Sequence, residues 1–185
     1  MKLFLLAAVL FACLIPFATA SAGTSLIDPW PASVAWYYNP AGAPAGFDEG
    51  TVIAAARSWG LQLVYAGHTT QVASCTVAPT ENVVGWGSDM GPNAGLTCFD
   101  AAPQARHFNI VINPAAPYLQ GAFAHEFGHA LGLPHPNCNP RPGVQIAMLM
   151  CVNGSWLVEP TLADRNALSA LYPLSPMRIA MLARD

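Results

Sequence analysis

The residues most able to do chemistry lie in one window, His125-Glu126-Phe127-Gly128-His129-Ala130-Leu131-Gly132-Leu133-Pro134-His135. His125 and His129 are four apart, so on a helix they project from one face, one above the other. Two imidazoles so placed can each reach a single Zn²⁺ at about 2.0–2.1 Å. Glu126 lies about 100° further around the helix, where it can face the open position of the metal without ligating it. A straight helix cannot bring in His135 as third ligand; the chain must leave the helix and turn back. Gly132 suits that turn because glycine takes positive φ without steric penalty, and Pro134 keeps the helix from resuming. Three neutral histidines leave a fourth position for water, the arrangement of a catalytic zinc site and not of a closed structural one. On zinc the pKa of such water falls to about 7; Glu126 would take its proton as it attacks a carbonyl, then pass it to the leaving amine. His68 and His107 each stand alone in sequence and read as surface or core histidines, not ligands.

These residues need a scaffold. The zinc helix is expected from about Tyr118 to Leu131, with Phe123, Phe127, Ala130 and Leu131 facing inward and Gly132 as its C-terminal cap. The apolar, β-branched stretch Phe108–Ile112, ended by Asn113-Pro114, reads as a buried strand just before it. Ser33–Tyr38, Leu61–Tyr65, Asn82–Trp86 and Leu96–Phe99 read as four further strands. Asp48 is placed to N-cap a helix near Glu49–Trp59, with Val52, Ile53, Ala56 and Trp59 at helical spacing. A last helix is expected over Thr161–Leu171, where Leu162, Ala167, Leu168 and Leu171 share a face. Trp36, Tyr37 and Trp59 are expected to pack in the core. The order predicts an α+β domain of about five strands and three helices.

Composition narrows the class. The chain has 185 residues, enough for one domain with a core, and only 9% are charged against 54% hydrophobic. The net charge of −3 and a single lysine, Lys2, exclude a basic surface for nucleic acid. Lys2, the apolar run Leu3–Leu14, Pro16 and Ala18-Thr19-Ala20 form a secretory signal pattern, with cleavage expected after Ala20 or alternatively Ala22. The processed chain, six arginines against ten acids, would carry −4 and no membrane segment. It would retain Cys75, Cys98, Cys138 and Cys151, an even set suited to an oxidising compartment. Of the three pairings, Cys75–Cys98 and Cys138–Cys151 are favoured because both close short loops. The absence of any C-x-x-C pair argues against a cysteine zinc site.

The eleven-residue window resembles the zinc signature of the metzincin metalloproteases, and the strand–helix–turn around it is similar to a matrixin-type catalytic domain. The resemblance spans about 33–172. It includes the Trp36-Tyr37-Tyr38 strand, the helix ending at Trp59, and a C-terminal helix over Asp164–Tyr172. It implies a twisted mixed sheet for 33–172, which leaves the signal peptide at 1–20, a short segment at 21–32 and a tail at 173–185 outside the catalytic domain. It further implies a secreted, monomeric zinc endopeptidase acting on protein or peptide, with one catalytic Zn²⁺. Metzincins place a methionine turn beneath the metal, for which Met150 is the candidate and Met148 the alternative. A Cys138–Cys151 bond would tie the loop after His135 to that turn. The Gly95–Phe99 edge would receive extended substrate through backbone hydrogen bonds. Departures are Pro136 where matrixins commonly carry serine, no residue set for a second zinc, and no placeable calcium site. About a dozen residues separate the signal from the first strand, too few for an inhibitory propeptide. Asn153-Gly154-Ser155 is an N-glycosylation sequon. Two alternatives stay open: a zinc-binding or adhesion module of the same fold without useful turnover, and a zinc hydrolase acting on small peptides or amides.

Overall fold

In the computed structural model, residues 25–60, 63–88, 90–136, 138, 148–151 and 157–173 are described. They form an α+β domain with five strands and three helices. The strands are β1 (Val34–Tyr38), β2 (Leu63–His68), β3 (Val83–Trp86), β4 (Gly95–Phe99) and β5 (Phe108–Ile112), and the helices are α1 (Gly50–Arg57), α2 (Leu119–Ala130) and α3 (Leu162–Leu171). The sheet order is β2-β1-β3-β5-β4. Four strands are parallel, and β4 runs antiparallel to β5 along one edge. The mixed sheet expected from the resemblance is present.

Every residue of β3 and β5 is buried, as strands covered on both faces should be. On one face Trp36, Val84, Ile110 and Ile112 join the main core with Phe123 and Phe127 of α2. On the other, Val83 and Val111 pack with Ala73, Met90 and Leu96 beneath the loops that precede β3 and β4. Helix α2 lies in the middle of the domain and is buried nearly all round, including Phe123, Phe127 and Ala130 at 0% exposure. Trp36 stacks edge-on against Phe127 at 5.1 Å, and the Trp59 indole N–H donates to the Ala124 carbonyl of α2 at 2.7 Å. Trp36 and Trp59 are thus core residues, and Tyr37 is half-buried. The core also takes in Ile27 and Trp30, upstream of β1.

Three details differ from the sequence reading. Strand β2 continues to His68, past the expected Tyr65, because it follows β1 as far as Tyr38; residues 61–62 lie outside the described residues. Glu49, not Asp48, occupies the N-cap of α1, while the Asp48 carboxylate accepts the Gly50 N–H at 2.9 Å. Leu162 is 74% exposed, not inward-facing. It is the first residue of α3, and the capping box formed by Thr161 and Asp164 orients that turn so that Asp164 points inward instead.

Candidate metal centre

Helix α2 projects His125 and His129 from one face, and the chain then reverses at its C-terminus. The Gly132 N–H donates to the His129 carbonyl (2.7 Å) and the Leu133 N–H to the Gly128 carbonyl (3.0 Å). With Gly132 at φ +92°, this is a Schellman ending. The reversal brings His135 back to the helix face. Its Nε2 lies 2.9 Å from Nε2 of His125 and 3.0 Å from Nε2 of His129. The three side chains form a cluster able to hold a metal ion, all ligating atoms within 4.8 Å of one another.

Proton placement decides what such a cluster can accept. His125 Nδ1 lies 2.7 Å from the Leu149 carbonyl, and His129 Nδ1 lies 2.7 Å from the Leu133 carbonyl. A carbonyl only accepts, so each Nδ1 carries the hydrogen and each Nε2 presents a lone pair. His135 Nε2 can donate to at most one of them. Facing lone pairs at this distance suit a cation, and three imidazoles suit Zn²⁺ among the common divalent metals. Burial, followed by the neighbouring imidazole of His125, lowers His129 to about 3. Burial likewise lowers His125, and partial desolvation lowers the more exposed His135 in the same direction. All three are therefore neutral at pH 7, the state a metal requires.

Glu126 is 6% exposed. Burial pushes its carboxyl up to about 7, against a lowering effect of the Thr97 hydroxyl. That hydroxyl lies 2.7 Å from Glu126 Oε2 and 3.0 Å from the Glu126 carbonyl oxygen. A Cβ on Gly95 would stand 2.6 Å from Glu126 Cγ and 2.7 Å from Ile112 Cδ1, so only glycine leaves room for this side chain. The three histidines and Glu126 line one cleft of about 350 Å³, together with Gly95–Thr97 of β4, Ala122 of α2 and Leu26.

Beneath the helix, Met150 is 2% exposed. A Cβ on Gly128 would fall 2.2 Å from Met150 Sδ and 2.7 Å from Trp59 Cζ2; the missing side chain is what lets the methionine reach the helix backbone. Met148 is half-buried and makes no such contact among the described residues. The turn carrying Met150 is held by Asp164 of α3, fully buried, which accepts the Leu149 N–H at 2.8 Å and the Met150 N–H at 3.2 Å. Leu149 in turn fixes His125. Both expected disulfides are formed: Cys75–Cys98 joins the loop before β3 to β4, and Cys138–Cys151 joins the segment after His135 to the turn of Met150.

His68 and His107 lie apart from this centre. His68 pairs with Glu49 at 2.6 Å, and Tyr65 also donates to that carboxylate; His107 pairs with Asp100 at 3.1 Å. The sequon at 153–155 and the tail from 174 lie outside the described residues. Sequence reasoning placed Gly95 and Thr97 only on the expected substrate edge and missed their contacts with Glu126, as it missed the fit of Gly128 against Met150 and the clamp made by Asp164. The T-x-x-D spacing of Thr161 and Asp164 does signal a helix cap, but that Asp164 also serves a turn fourteen residues upstream could not be read from spacing. No protein-family model matches the chain and no curated protein is similar to it, so the reading of this centre stands on its geometry.

Proposed function

We propose that this chain is an exported zinc-dependent endopeptidase of the metzincin type, with His125, His129 and His135 holding the metal and Glu126 as general base. The observation that carries the reading is one cleft containing three converging Nε2 atoms and a buried carboxylate. A purely structural site has no need of that carboxylate. When bound, zinc supplies Lewis-acid polarisation and acidifies water. The residues of the chain do the rest. The Leu149 and Leu133 carbonyls hold two imidazoles in the Nε2-ligating tautomer. Glu126, buried in the same cleft as the three imidazoles, would take a proton from water and return it to an amine leaving group. The outer edge of β4, last in the sheet, offers backbone groups to an extended peptide beside the cleft.

Export is supported by the two disulfides, which fit an oxidising environment. No helix among the described residues is long and apolar enough to cross a membrane. Digestion of casein or gelatin by the purified mature chain tests the reading: hydrolysis should occur and should cease with a chelator. Zinc binding with no cleavage of any protein or peptide would instead indicate a binding module.

A further inference from the structure

We propose that Thr97 is a positioning residue for Glu126, fixing the base against the sheet through its hydroxyl; this rests on the endopeptidase reading. Thr97 sits in the middle of β4, paired with Ile110 of β5 in an unbroken five-residue antiparallel register. Alternation along the strand sends its side chain toward α2, while Leu96 and Cys98 go to the opposite face. Leu96 packs there with Val83 and Val111, and Cys98 is bonded to Cys75. A slip of one residue would put a leucine or a disulfide sulfur against Glu126. Register and disulfide therefore present one side chain to the base, and it carries a hydroxyl.

The hydroxyl has two acceptors in reach, Glu126 Oε2 at 2.7 Å and the Glu126 carbonyl oxygen at 3.0 Å. It holds one proton and two lone pairs. As donor to Oε2 the hydroxyl holds the carboxylate against β4, and the bare Gly95 leaves that side chain room. Substrate on the outer edge of β4 and base on its inner face would then be aligned by the same strand.

The test uses the zinc-loaded mature chain and one peptide bond that the wild type cleaves in casein. Thr97→Val keeps shape and strand propensity but removes the hydroxyl. It should lower kcat about tenfold to a hundredfold, with KM and zinc content held within about twofold, and Thr97→Ser should recover most of the loss. Wild-type kcat in Thr97→Val, a serine variant as slow as the valine one, or a change confined to KM would overturn the inference. Should the valine variant fail to fold, the Thr97→Ala and Thr97→Ser pair answers the same question. A crystal structure of the zinc-loaded Thr97→Val chain adds a readout independent of turnover: Glu126 should leave β4, and an unmoved carboxylate would overturn the role. A wild type that binds zinc but cleaves nothing defeats the endopeptidase reading itself, an outcome distinct from equal cleavage by wild type and variant.

Discussion

At the scale of single residues, the centre depends on groups held in states they would not adopt in water. Burial disfavours the charged forms of His125 and His129, partial desolvation lowers the more exposed His135 in the same direction, and burial raises Glu126 toward neutrality. The consequences for the metal-free protein have opposite signs. A histidine lowered in the fold is protonated first in the unfolded chain, so its contribution is complete above about 6.5 and is lost as pH falls toward the folded value, about 3 for His129. A raised carboxyl binds its proton more tightly in the fold, so the contribution of Glu126 is lost as pH rises from 4.5 to about 7. Three imidazoles outnumber one carboxyl. Thermal melts in chelator should show the midpoint rising from pH 5 to pH 6.5, and a flat or falling profile would contradict the assigned burial.

At the scale of elements, the centre is a helix, a turn after it and a second turn beneath it, each kept in place by a named contact. Gly128→Ala would drive a methyl into Met150 and Trp59; overpacking of this kind costs about 1–3 kcal/mol, measurable by denaturant unfolding of the metal-free chain. Asp164→Asn leaves the capping residue near isosteric but weakens the grip on the Leu149 and Met150 N–H groups that orient His125. Such outer-shell losses typically lower metal affinity about 10- to 100-fold, and chelator competition would show it; unaltered affinity would exclude the relay through Leu149. Much of this was legible in the sequence. The spacing of His125, His129 and Gly132 predicts helix and turn because both follow from local geometry. Strand β5 was equally plain from its apolar run. The exposed Leu162 and the role of Thr97 were not legible, because a period says which residues share a face, not which neighbour that face will meet.

At the scale of the whole molecule, two disulfides brace different parts of the centre, one at strand β4 and one at the turn of Met150, and they should fail differently. Cys138–Cys151 ties the segment after His135 to the Met150 turn, whereas Cys75–Cys98 ties the strand that holds Glu126. Their separations of 13 and 23 residues correspond to about 3 kcal/mol of stabilisation each by loop-closure entropy. Replacing Cys138 and Cys151 by serine should reduce zinc affinity as well as stability. Replacing Cys75 and Cys98 should reduce kcat while zinc affinity holds. Identical effects from both pairs, measured by chelator competition and steady-state kinetics, would mean that the bridges act only on global stability. Pairing by short loops was a correct guide here because each bridge spans neighbouring segments of the fold. The link from Cys138–Cys151 to the turn of Met150 was expected from the resemblance, but nothing in the spacing revealed that Cys75–Cys98 ends one residue from Thr97, the contact of Glu126.

Metal analysis of the purified wild type and its Glu126→Gln variant, set beside their hydrolysis of casein, addresses the central claim most directly. Both proteins should carry about one equivalent of zinc, as expected for a single His₃ site, and only the wild type should cleave. A wild type that stays zinc-free with the metal in excess, or a Gln variant that cleaves as fast as its parent, would contradict the account.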